Sequence, residues 1–149
     1  SGPIQEVLIH PNLRKYLGQT LIGTVLDTTV VRQDEKFQLT VLKFNNHTLY
    51  VPHRSVSPGK QLRIHIRADD VILAVEPMEE LTSVLNVLPA QIIDVRDSYE
   101  DGCKVDVTLD IGCPLLASIT RKSLINLNLK PGNNIFAHIK AIRMANEVD

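Results

Sequence analysis

The sequence predicts an all-β chain of two OB-like β-barrel modules with short helices, and three observations predict it. The run Pro58-Gly59-Lys60-Gln61-Leu62-Arg63-Ile64-His65-Ile66-Arg67-Ala68 returns, 73 residues on, as Pro131-Gly132-Asn133-Asn134-Ile135-Phe136-Ala137-His138-Ile139-Lys140-Ala141. A fixed-period repeat of this kind is one supersecondary unit used twice. Most of the remaining chain reads as short runs rich in Val, Ile, Leu and Thr, cut by Gly, Pro and Asn turn signals. Each half offers about five such runs, with one helical segment between the third and fourth strands of the second half, which describes an OB-like barrel.

The elements come in this order. Ile4, Val7 and Leu8 share one helical face, with Pro3 in the first turn and Pro11 beyond the end. A weaker helical turn runs from Leu13 to Leu17. Leu21–Val31 is the first strand and Phe37–Phe44 the second. Asn45-Asn46 turns the chain into a third strand, His47–Val51. Pro58-Gly59 is another turn, and Gln61–Val75 is one long strand or a bent pair. Glu76-Pro77-Met78-Glu79-Glu80 joins the halves, and Glu79-Glu80-Leu81 can begin a short helix. The second half repeats the plan with Asn86–Val95, a Glu100-Asp101-Gly102 hairpin turn, Val105–Ile111, a turn at Gly112, Leu115–Ile119, and a last strand Ile135–Met144. Upstream of the Pro-Gly turns the copies align at an offset of 68, so the second carries five extra residues within Thr120–Leu129. Ser123, Leu124 and Leu127 there suit a helical turn over the barrel mouth. The expected organisation is a linker and short helix over 1–17, a first module over 18–77 and a second over 78–149.

At 149 residues and 44% hydrophobic, the chain can bury a real core. Its formal net charge of −1 supplies no broad positive field for nucleic acid or an anionic membrane, so any bound anion needs a local arrangement. Cys103 and Cys113 flank a hairpin strand, and two thiols suit a reduced cytosolic pair better than a scaffold or a zinc site. There is no apolar run of membrane-spanning length and no signal peptide, so a soluble domain is expected.

Candidate chemistry gathers in the second copy. Ile135, Ala137, Ile139 and Ala141 share a core face, and Phe136, His138, Lys140 and Ile142 share the other. That second face is too apolar to be left to solvent. Either a second chain or the other copy covers it. Thr120 and Ser123 stand three apart at a strand-to-helix transition, and Thr120 there reads equally as a helix N-cap. A helix N-terminus, two hydroxyls and Lys140 would form a donor-only pocket for an oxyanion, and Thr120–Lys122 contains no acid. Ser83 adds a hydroxyl, while Asn86 suits an Asx-type turn.

Ser83-Val84-Leu85-Asn86-Val87-Leu88, Ile119-Thr120-Arg121-Lys122-Ser123, Leu127-Asn128-Leu129, Gly132 and Ile139-Lys140-Ala141 together resemble the molybdopterin-binding-protein-like (Mop, TOBE) module. Gly2–Leu8 and Leu62–Glu76 resemble the C-terminal region of the ATP-binding subunit of molybdate ABC importers. The resemblance implies an OB-like barrel that binds molybdate or tungstate between two subunits. Carried over by position, it assigns oxyanion binding to Ser83, Leu85, Asn86, Thr120, Ser123 and Lys140. Leu85 stands where the family pattern has Arg, which removes a charge-assisted donor and leaves only the Leu85 backbone N–H. The resemblance further implies a homodimer, an ATPase domain on the same chain, indirect contact with transporter membrane subunits, and a place at the cytoplasmic face of the membrane. The first copy lacks the pattern, with Arg67 at the place of Lys140 and Pro52 at that of Thr120, and is expected to be structural or docking.

Three other readings fare worse. No phosphate-cradling Gly-rich loop with its Lys is present, so no ATP chemistry and no catalytic residue are assigned. His47 and His53, with Pro52 between them, make no metal site, and molybdenum would be held only as its oxyanion. The Asp69-Asp70 pair is expected to be solvated. A nucleic-acid OB module needs aromatic platforms in a basic groove, whereas Phe37 and Phe44 would lie on opposite faces of one strand. A ligand-free dimerisation module remains the alternative to oxyanion binding.

Overall fold

A computed structural model describes residues 23–78, 83–98 and 102–145. The expected helices before Leu17, the turn at Glu79-Glu80-Leu81, and Glu100-Asp101 of the hairpin lie outside these residues.

Among the described residues ten strands run in chain order: β1 (Gly23–Asp34), β2 (Leu39–Phe44), β3 (His47–Pro52), β4 (Gln61–Arg67), β5 (Val71–Ala74), β6 (Asn86–Asp97), β7 (Lys104–Asp110), β8 (Pro114–Thr120), β9 (Asn134–Ile139) and β10 (Arg143–Met144). One α-helix, α1 (Arg121–Asn126), lies between β8 and β9, and a 3-10 turn (Ala68–Asp70) lies between β4 and β5. The all-β prediction holds, as does the helix in the second-copy insertion.

The strands form two five-stranded antiparallel sheets, ordered β10-β4-β1-β2-β3 and β5-β9-β6-β7-β8. Each sheet takes its fifth strand from the other half of the chain. β5 pairs with β9 through Val71↔Ile139 to Ala74↔Phe136, and β10 pairs with β4 through Arg143↔His65 and Met144↔Ile64. β5 also lies against β8, which curls the second sheet round its core.

The repeat recurs in the hydrogen bonds. Gly59 N–H donates to the Val30 carbonyl at 2.8 Å, and Gly132 N–H to the Ile92 carbonyl at 2.7 Å. Both glycines hold positive φ, 93° and 95°, which a side chain would strain. Each first strand carries a bulge, between Val30 and Arg32 in β1 and between Ile92 and Asp94 in β6. The bulges set the register: Val30 pairs with Leu42 and Ile92 with Leu109. Leu42 and Leu109 are therefore the equivalent positions, one residue away from the offset of 68. A one-residue slip exchanges faces, so this register is what buries both leucines completely.

Several strand limits differ from expectation for local reasons, and the choice left open at Gln61–Val75 is decided. β2 begins at Leu39 because Gln38 is left-handed (φ 56°) and Asp34 Oδ1 accepts from Phe37 N–H at 3.2 Å, which keeps Phe37 in the turn. β1 runs on to Asp34 because the ladder to β2 resumes beyond its bulge. Gln61–Val75 is the bent pair, hinged on the 3-10 turn. The last strand breaks after Ile139, because Lys140 N–H turns to the Asp70 carbonyl at 2.7 Å before the chain crosses to β4. Alternation ends there, and Ile142 packs against the core rather than on the outer face.

Alternation otherwise decides the core. Thr24, Leu26, Thr28 and Val30 point inward from β1, and Asn86, Leu88, Ala90 and Ile92 occupy the matching places in β6. One continuous apolar cluster contains residues of both halves, including Leu49, Ile64, Ile66, Leu109, Leu115 and Ile139. Each fully buried Leu or Ile side chain contributes about 1.5–3 kcal/mol. The outer face of β9 is covered from within the chain at His138. Its Nε2 accepts from Met78 N–H at 3.1 Å, and the imidazole is buried. Cys103 is exposed and Cys113 buried, and neither forms a disulfide; burial first, and Asp110 second, push the Cys113 thiol up to about 11.

Candidate functional site

Thr120 ends β8 in extended backbone (φ −75°, ψ 151°) and caps α1. Its Oγ1 accepts from Ser123 N–H at 3.1 Å, and its hydroxyl donates to Ser123 Oγ at 3.0 Å. A hydroxyl has one proton, so this arrangement leaves the Ser123 proton as the outward donor. The helix N-terminus is already largely satisfied: Arg121 N–H donates to the Cys103 carbonyl at 2.8 Å. The Arg121 side chain turns away to Asp97 at 2.9 Å and the Gly102 carbonyl at 3.3 Å. A site here therefore rests on side chains rather than on free helix N–H groups.

Lys140 lies against the 3-10 turn. Its Nζ lies 4.0 Å from Asp70 Oδ1, and its N–H donates to the Asp70 carbonyl. Asp69 lies 3.8 Å from Lys104 Nζ and 3.6 Å from Arg67 Nη2. Lys104 in turn stands directly across from Thr120 in the β7–β8 ladder. Asp69 is 52% exposed, in keeping with the expectation of a solvated acid, whereas the Asp70 side chain is only 14% exposed, contrary to it. The turn from the first copy lies between two groups of the second, Lys140 and the Lys104–Thr120 pair. Nothing local in the sequence singled out this role, because it depends on strand exchange.

Ser83 and Leu85 are exposed and precede β6. Asn86 pairs with Ile139 in the β6–β9 ladder, so Leu85 adjoins the strand end that carries Lys140. Leu85 is 59% exposed, a large apolar side chain in solvent. Asn86 does not make an Asx-type turn. Its Oδ1 accepts from Tyr50 N–H at 2.8 Å and its Nδ2 donates to the Tyr50 carbonyl at 3.0 Å, so a side chain of the second copy extends the β3 edge of the first. Thr24 does the equivalent in the other direction, its Oγ1 accepting from Leu116 N–H at 3.0 Å. Thr24 and Asn86 hold matching places in β1 and β6, so each copy holds backbone of the other with a side chain of its first strand.

The groove of about 850 Å³ between the copies lies elsewhere, lined in part by Asn45, His47, Gln91, Asp110 and Phe136. None of the six candidate residues lines it. Phe44 is buried and stacks on His47 (centroids 5.9 Å apart), while Phe37 sits in the β1–β2 turn, so the two form no base-stacking platform.

A double set of OB-like strands, the second with a Thr120-capped helix between its third and fourth strands, defines a known class. Residues 82–145 match the TOBE domain family. The particular relatives are molybdenum-import ATP-binding proteins called ModC. The chain is 38% identical over 143 residues to that of Mesorhizobium japonicum, covering 95% of this chain and 38% of the relative. It is 35% identical over 146 residues to that of Paramagnetospirillum magneticum, covering 97% and 39%. The chain thus spans about two fifths of the length of the curated relatives it matches. A solved structure of the cytoplasmic molybdate-binding protein ModG, with molybdate bound, superposes with a TM-score of 0.69 at 19% identity, over 81% of this chain and 95% of that one. That likeness is one of fold.

Proposed function

We propose that this chain is the C-terminal regulatory and dimerisation region of a molybdate-importer ATPase subunit, and that its second copy binds molybdate or tungstate at a subunit interface. The observation that carries this reading is that the 3-10 turn meets Lys140 through Asp70 and, through Asp69, Lys104, which faces Thr120 of the Thr120–Ser123 pair across the β7–β8 ladder. Lys140 supplies positive charge, Ser123 an outward hydroxyl proton oriented by Thr120, and Ser83 with the Leu85 N–H completes the donor set from the partner subunit. Asn86 positions that segment by its bonds to Tyr50. The first copy (18–77) serves as a docking module for an ATPase domain on the same chain, and residues 1–17 lead from that domain. The region itself carries no ATP chemistry and acts at the cytoplasmic face, where it meets the transporter's membrane subunits indirectly. Anion binding regulates transport by favouring one arrangement of the two subunits.

Calorimetric titration with molybdate, tungstate and sulfate tests this. Molybdate and tungstate should bind more tightly than sulfate, and Lys140→Ala should weaken binding about tenfold or more, the loss of one charge-assisted donor. Equal binding of sulfate would reassign the site to another anion importer. The exposure of Leu85 favours a second reading, a ligand-free dimerisation module in which this leucine packs against the partner. Absence of heat with every oxyanion, together with a dimer in solution, would select it.

A further inference from the structure

The donor set proposed for the oxyanion already has an anion beside it, and that anion comes from the other copy. Asp70 belongs to the 3-10 turn between β4 and β5, so the strand exchange that carries β5 into the second sheet also carries Asp70 to Lys140. The backbone bond from Lys140 N–H to the Asp70 carbonyl, at 2.7 Å, fixes the two residues side by side. The carboxylate stands 4.0 Å from the ammonium and is largely shielded, whereas the Lys140 side chain is 60% exposed. Asp69 differs, since both Arg67 and Lys104 offset its charge.

We propose that Asp70 is an internal competitor for Lys140 that sets the affinity and the charge selectivity of the oxyanion site. The inference rests on the oxyanion reading above. An arriving anion must draw Lys140 away from Asp70 and then lie close to a poorly screened carboxylate, which repels a dianion twice as strongly as a monoanion of the same shape. Because Asp70 leads directly into β5, displacement of its carboxylate bears on the strand that joins the two copies.

The test compares molybdate with perrhenate, a tetrahedral monoanion, on the wild-type chain and on Asp70→Asn, which keeps the backbone carbonyl and the side-chain shape. Asp70→Asn should tighten molybdate binding about fivefold, tighten perrhenate binding less, and show a smaller gain at high salt. Asp70→Ser should move affinity in the same direction, which guards against a folding defect peculiar to the asparagine variant. Wild-type binding of molybdate with no gain in either variant, or an equal gain for both anions, would overturn the role of Asp70 alone. No binding of either anion by wild type or variants would overturn the oxyanion reading and this inference with it.

Discussion

Replacing Asn86 by alanine should destabilise the chain by about 3 kcal/mol, since it strips two hydrogen bonds from one buried side chain and leaves the Tyr50 N–H and carbonyl facing an apolar gap. The bonds join copies that no β3–β6 ladder connects, so their loss frees the β3 edge as well as the segment before β6. Urea unfolding at constant m-value measures the cost. Asn86→Asp is the informative control, because a carboxylate still accepts from Tyr50 N–H but cannot donate to the Tyr50 carbonyl. It should fall between wild type and alanine. An alanine variant as stable as wild type would mean that Asn86 is only a surface residue of its strand. Oxyanion affinity should fall with stability, because Ser83 and Leu85 lie immediately before Asn86 in the chain.

Gly23→Ala should cost a similar amount, about 3 kcal/mol and roughly 10 °C in melting temperature, at the upper end for overpacking in a chain of this size. A Cβ at Gly23 would run into the Ile66 carbonyl oxygen and stand 2.9 Å from Arg67 Cα. Both obstacles are backbone, so no side-chain rotation relieves them. The strand must shift instead, at the Gly23↔Arg67 and Thr24↔Ile66 pairs that align β1 with β4. The shift would also disturb Thr24, whose hydroxyl holds Leu116 N–H of the second copy. Differential scanning calorimetry measures the effect, and an unchanged melting temperature would show that β1 slides without cost. Alanine at Gly102, where a Cβ meets nothing, is the matched control.

Local signals made the fold class and most strands legible. Pro58-Gly59 and Pro131-Gly132 marked identical turns because only glycine relaxes at their positive φ. Thr120 marked the start of α1 because a threonine oxygen satisfies an N–H that the helix cannot. Partner identity was not legible. Period-two patterning says which face of β5 or β10 is buried, but not whose sheet the strand joins, so the exchange stayed hidden. The bulges at Val31 and Ile93 were equally silent, each an apolar residue that the sequence offers as core and the fold turns outward. In the candidate site, Thr120, Ser123 and Lys140 were readable from residue type and order. Asp70 was not, since its proximity to Lys140 follows from β5 crossing to β9. Asn86 was noticed for the wrong reason, as a turn former, when its amide serves as a stretch of strand backbone for Tyr50.

Anomalous scattering from tungsten, in crystals of this chain grown with tungstate, tests the central claim most directly. A peak is expected at the α1 end of the second barrel, within reach of Lys140 and Ser123 and closed by Ser83 and Leu85 of a second molecule, and it should vanish in Lys140→Ala crystals. A peak in the groove beside Asn45 and Gln91, or one that persists without Lys140, would contradict the account.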